Sequence, residues 1–161
     1  MRSEAEANRA ISLYADTVRR ICFMHLKNHS DVEDVFQDVF LKYILHESCF
    51  ENDSHEKAWI IRVTINRCKD LLKNFFRRKV QSIEYIDVEP FYFQEEDSTV
   101  LNAVLRLPET YKNVIYLFYF EGYTAMEIAR LMGRKENTIY TWLARAKLNL
   151  KKELGGEPFD E

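Results

Sequence analysis

Glycine and proline are scarce, at four and three of 161 residues. That excludes collagen-like and low-complexity chains and leaves few sites for the tight turns of an all-β fold. Cysteine is limited to Cys22, Cys49 and Cys68, an odd number without C-x-x-C spacing, which argues against a disulfide framework and a structural zinc site. Cys22, His25 and His29 lie within two helical turns of each other. A zinc ion takes four close ligands with supporting partners, however, and no metal site is expected. No apolar run approaches the roughly 18 residues of a membrane span, and the start, MRSEAEANRA, lacks the apolar stretch of a signal peptide. The expectation is a cytoplasmic protein with no membrane insertion. A phosphate-binding glycine loop, a metal-ligand cluster and a nucleophile–base constellation are also missing, so no catalytic residue, cofactor or small-molecule substrate is expected.

What is present is a chain with 47% apolar and 30% charged residues, the balance of a globular protein, and a formal net charge of -3. The total hides a pattern. Residues 28–56 hold eight acids against Lys42, residues 57–79 hold eight bases against Asp70, residues 84–97 hold six acids and no base, and residues 130–152 hold seven bases against Glu136. Two basic islands in an acidic chain imply two nucleic-acid contacts and a separate partner surface.

Nearly every apolar residue falls into helical spacing, so the fold class is all-α, as two small helical domains. The first helix is predicted from Glu4 to Lys27, with Ile11, Tyr14, Val18, Ile21 and Leu26 turned inward. Ser30 and Glu33 fit a capping box opening a second helix. That helix buries Val32, Val35, Phe36, Val39 and Tyr43 and shows Asp34, Gln37, Asp38 and Leu41 on its other side. Residues 48–56, SCFENDSHE, read as an exposed loop. A long helix follows from Lys57 into Phe76. Its polar stripe is Arg62, Asn66, Lys69, Lys73 and Arg77, over an apolar side of Ile60, Val63, Cys68, Leu71 and Phe75. The domains expected are residues 1–79 and 98–154, joined by a flexible acidic linker at 80–97 and followed by a frayed tail at 155–161.

The second half carries the most specific local signal. Pro108 starts a helix at a tolerated position, and the apolar run through Val114, Ile115, Leu117 and Phe118 ends at Glu121-Gly122. Thr124 and Glu127 form another capping box, launching a short helix that Gly133 ends. A turn over Gly133 to Glu136 leads to a final helix, the pattern of a helix-turn-helix. Ile139, Leu143, Ala146 and Leu150 share its inner face. Residues near the start of such a helix enter a major groove, which makes Asn137, Tyr140, Thr141 and Arg145 the base-reading candidates. Arg134, Lys135, Lys147, Lys151 and Lys152 are the phosphate-holding candidates.

The stretch LPETYKNVIYLFYFEGYTAMEIARLMGRKENTIYTWLARAKLNLKKEL resembles region four, the promoter-reading C-terminal domain of extracytoplasmic-function sigma factors. SDVEDVFQDVFLKY resembles the region-two helix that grips the polymerase clamp, and WIIRVTINRCKDLLKNFFRR resembles the helix after it that meets the promoter. The resemblance implies that Asp34, Gln37, Asp38 and Leu41 bind core RNA polymerase. It implies that Phe50, Asn52, Asp53 and Ser54 capture a base flipped from the non-template strand at the minus-ten element, beside the basic helix face. It also implies an anti-sigma factor as a further partner, with promoter DNA and polymerase as the others. Trp59 matches a position of the family pattern, and an aromatic residue there reads first as core. Family recognition helices usually carry basic residues where this one has Tyr140 and Trp142. The runner-up reading is a stand-alone helix-turn-helix regulator that binds paired half-sites as a dimer without polymerase.

Overall fold

The computed structural model describes residues 1–77 and 98–155, with side chains described for 1–74 and 99–155. The expected linker at 80–97, the tail beyond Gly155 and the side chains of Phe75 and Arg77 lie outside the described residues. The chain divides into two compact units, and the described elements of both are helical.

In the first unit, Ser3 opens α1 (Glu4–His25), its hydroxyl accepting from the Glu6 N–H at 3.1 Å. Glu4 and Glu6 favour the positive end of the helix dipole. The helix stops at His25, two residues short of the expected Lys27, because Leu26 turns extended and donates its N–H to the Cys22 carbonyl. Helix α2 (His29–Leu45) is capped by Asn28 and not by Ser30: the Asn28 side chain accepts from the Asp31 N–H at 2.8 Å, and Ser30 is already inside the helix. Helix α3 (Asp53–Arg77) begins four residues before the expected Lys57. Asn52 makes this possible, its side-chain oxygen accepting from the His55 N–H at 2.8 Å and its carbonyl from the Glu56 N–H at 3.1 Å.

The three helices pack against one another in every pairing. Tyr14, Val18 and Cys22 of α1, Val32, Val35, Val39 and Tyr43 of α2, and Ile60 and Cys68 of α3 form one apolar cluster. Each fully buried aliphatic contributes about 1.5–3 kcal/mol. Ile11, Phe36, Val63 and Leu71 pack at its margin, partly exposed, whereas Ile61, Ile65 and Phe40, outside the expected inner set, are buried. The Cys22 and Cys68 sulfurs meet at 4.0 Å inside the core.

The second unit contains an unexpected first helix, α4 (Ser98–Leu105), before α5 (Glu109–Ile115). Pro108 stands just outside α5 as an extended cap, one position earlier than expected. The chain then makes a π-helical turn over Tyr116–Phe120, with the Glu121 N–H reaching back five residues to the Tyr116 carbonyl at 3.1 Å. Such a turn absorbs one extra residue, so the aromatic run splits between faces: Tyr116 and Leu117 are buried and Phe120 is exposed. Helix α6 (Ala125–Met132) starts with the expected Thr124–Glu127 capping box, both bonds present, and ends at Gly133 with φ +67°. Helix α7 (Glu136–Glu153) follows, so Glu136 belongs to the helix and the turn is shorter than expected. Helices α4, α5 and α6 each pack on α7, which buries Ile139, Leu143, Ala146 and Leu150 as its periodicity requires.

Candidate nucleic-acid interface

Burying the inner stripe of α2 forces its remaining residues outward. Asp34 and Gln37 are exposed, and Leu41 is 54% exposed, with Leu45 one turn further in the same state. Asp38 is different. It is half-buried, and the Arg67 guanidinium of α3 donates to its carboxylate at 2.8 Å. The expected polymerase-binding face is therefore three exposed residues beside one carboxylate that also ties α2 to α3.

Most of the segment from His46 to Glu56 is exposed, but its aromatic side chains pack together. The Phe50 ring stacks on Tyr43 with centroids 6.2 Å apart, lies 5.4 Å from His46 and 5.6 Å from Trp59, and meets His55 edge-on. Trp59 is thus a half-buried member of an aromatic cluster that packs against the core. Arg2 closes this cluster. Its guanidinium lies 4.6 Å from the Tyr43 ring centre and 5.0 Å from that of Phe50, and it donates to the carbonyls of Tyr43 at 3.0 Å and Ser48 at 2.7 Å.

Directly behind sits Glu56, which is 5% exposed. Tyr43 donates to one carboxylate oxygen at 2.8 Å; Tyr14 and Arg9 each donate to the other at 2.9 Å. Burial pushes the Glu56 carboxyl up, but the three donors outweigh it and hold the group below its ordinary range. The same burial and the bond to Glu56 push the Tyr43 hydroxyl up to about 12, and raise that of Tyr14 as well. Arg9 also pairs with Asp53. Of the four expected base-capturing residues, Phe50 is packed in the cluster, Asn52 caps α3, Asp53 pairs with Arg9, and Ser54 is exposed. Of the residues that position this segment, Tyr14 lies on the predicted inner stripe of α1, whereas Arg2, Arg9 and Glu56 carry no sequence signal, since Arg2 reaches Tyr43 across 41 residues of chain and Arg9 reaches Glu56 across 47.

On α3 the structure brings the expected basic stripe together. Arg62, Asn66, Lys69 and Lys73 are all exposed on the face opposite Ile60 and Cys68. Arg67 is set apart from them by its bond to Asp38.

On α7, Asn137, Tyr140, Thr141 and Arg145 are exposed together, with Arg134 and Lys135 exposed just before the helix and Lys151 and Lys152 at its end. The Arg134 guanidinium lies 5.8 Å from the Trp142 ring, which is half-buried beside the core. Lys147 is half-buried, with its ammonium 5.6 Å from the centre of the Tyr119 ring. Lys135 caps α7 with backbone alone.

A three-helix unit carrying a basic helix face, followed by a unit with a helix-turn-helix, is the architecture of a DNA-reading transcription factor. Residues 10–79 match sigma-70 region 2 and residues 98–150 match sigma-70 region 4. The ECF RNA polymerase sigma factor SigW of Bacillus subtilis is 24% identical over 89% of this chain and 86% of its own length. The RNA polymerase sigma factor SigV of the same bacterium is 29% identical over 83% of this chain and 84% of its own. Among solved structures, the sigma factor RpoE in complex with the anti-sigma factor NepR, from Bartonella quintana, shares the fold with a TM-score of 0.78 at 21% identity, covering 94% of this chain and 98% of that one. The chain belongs to the sigma-70 family of RNA polymerase sigma factors, in its extracytoplasmic-function class.

Proposed function

We propose that this chain binds core RNA polymerase and directs it to specific promoters, performing no covalent chemistry of its own. The observation that carries the reading is the presence, in chain order, of a region-two unit with an exposed acidic and leucine face on α2 and a region-four unit with an exposed recognition helix. Asp34, Gln37, Asp38 and Leu41 dock on polymerase. Arg62, Asn66, Lys69, Lys73 and Arg77 hold the minus-ten DNA, and the segment from Phe50 to Ser54 holds an unpaired base. Extruding that base costs a few kcal/mol of stacking, which the bound strand offsets. Asn137, Tyr140, Thr141 and Arg145 read the minus-thirty-five major groove, while Arg134, Lys135, Lys147 and Lys151 hold its backbone. The domains are residues 1–79 and 98–154, and the site of action is the cytoplasm. Among the described residues, no helix is long and apolar enough to cross a membrane. A relative of the same fold was solved bound to an anti-sigma factor, which supports such a partner here.

The test is co-migration with sigma-free bacterial core polymerase on size exclusion, comparing wild type with Asp34→Ala/Leu41→Ala. Asp38 stays in place because it also holds Arg67. Wild type is expected to co-migrate and the double variant to lose most of the complex while keeping its helical content. A folded wild type that ignores core polymerase, forms dimers and protects a palindromic site would replace this reading with the stand-alone regulator.

A further inference from the structure

The outward face of α7 is unusually short of charge where it would enter DNA. Its core face, Ile139, Leu143, Ala146 and Leu150, is buried. Directly opposite lie Asn137, Thr141, Ala144 and Leu148, with Tyr140 and Arg145 at the two edges, and all six are exposed. Tyr140 is 58% and Leu148 52% exposed. Between Glu136 and Ala146 the sequence holds one cation, Arg145. The Thr141 hydroxyl donates to the Asn137 carbonyl at 3.0 Å, so its hydrogen is spent inside the helix and it offers a base its methyl group and an acceptor oxygen but no donor. The first turns therefore present an aromatic ring, two methyl-bearing side chains and a carboxamide. Exposed cations stand at both ends, Arg134 and Lys135 before and Lys151 and Lys152 after, matching phosphates on either side of a groove.

We infer that this recognition helix is built to read A·T pairs, with Tyr140, Thr141 and Ala144 packing on thymine C5 methyl groups and Asn137 pairing with an adenine edge. Apolar side chains meet the thymine methyl in the major groove, and a carboxamide matches adenine N6 and N7, whereas guanine is read chiefly by arginine or lysine. The inference rests on the promoter-binding reading and names the bases that reading leaves open.

The experiment uses polymerase assembled with the full chain. A duplex pool with eight randomised base pairs in the minus-thirty-five region is selected for binding, and the winning duplex is remade with uracil in place of thymine. Uracil keeps every hydrogen-bonding group and removes only the methyl. A·T pairs are expected at the positions facing Asn137 to Ala144 of α7, and each lost methyl contact should weaken wild-type binding about fourfold. Tyr140→Ala and Thr141→Ser, both at exposed positions, should bind the two duplexes with a smaller difference. Equal wild-type affinity for thymine and uracil duplexes, or enrichment of G·C pairs throughout, overturns the inference while leaving the promoter reading intact. Enrichment of no sequence at all overturns the promoter reading and the inference together.

Discussion

Glu56 shows how one residue organises a surface it does not share. Its carboxylate is buried, yet it is satisfied by two phenols and a guanidinium drawn from α1 and α2, and it fixes the first turn of α3 beside the aromatic cluster. Removing a charged acceptor of this kind costs about 2 kcal/mol, so Glu56→Gln should lower the stability of the first unit by that order. Its folded-state acidity is strengthened relative to the ordinary value of 4.5. The stabilisation is therefore complete above that value and is lost as pH falls through the depressed one. Denaturant titrations at pH 7 and at stepwise lower pH should show wild type and variant converging in acid. A gap that stays constant across the series would refute the role of the ionised carboxylate.

At the scale of an element, α3 does two jobs on two faces. Ile60, Ile61 and Cys68 hold it in the core, and Arg62, Lys69 and Lys73 face out. Among the described residues those three make no side-chain bond within their own unit, unlike Arg67, so their replacement should alter DNA binding without unfolding the helix. Each phosphate contact contributes about 0.7 to 0.9 to the slope of log affinity against log salt. Arg62→Ala/Lys69→Ala/Lys73→Ala in the polymerase complex should therefore reduce the salt slope of promoter binding by about two to three. Fluorescence anisotropy over a salt series measures this, and an unchanged slope would remove α3 from the DNA interface. The helix-turn-helix is the contrasting element, since its boundaries rest on local chemistry: the Thr124–Glu127 box at one end of α6 and the left-handed Gly133 at the other.

For the molecule as a whole, the formal charge of -3 opposes a DNA polyanion even though two of its faces are basic. Salt weakens the attraction of the basic faces for phosphates, so the isolated chain should be a weak DNA binder at physiological ionic strength, where screening acts over about 8 Å. Gel retardation of promoter duplex by the chain alone is expected only at low salt, with tight binding restored by core polymerase. Strong binding of the free chain at physiological salt would show that the basic faces act without help.

The sequence by itself determined the all-α class, the inner stripes of α1, α2 and α7, the exposed basic stripe of α3, and the helix-turn-helix, because each rests on helical periodicity or on caps formed within a few residues. It misplaced the start of α2, where Asn28 and Ser30, two residues apart, both suit a cap and the Asp31 N–H bonds to Asn28. It contained no sign of α4 as a separate helix or of the π-helical turn, whose extra residue is accommodated by what surrounds Tyr116 and Leu117. Only the tertiary structure decided that Asp38 is tied to Arg67, that Asp53 pairs with Arg9 at the start of α3, and that Arg2, Arg9 and Glu56 converge there. Those links join residues 29 to 47 positions apart, and contacts between such distant residues leave no periodicity in the chain: they exist only once the helices have packed.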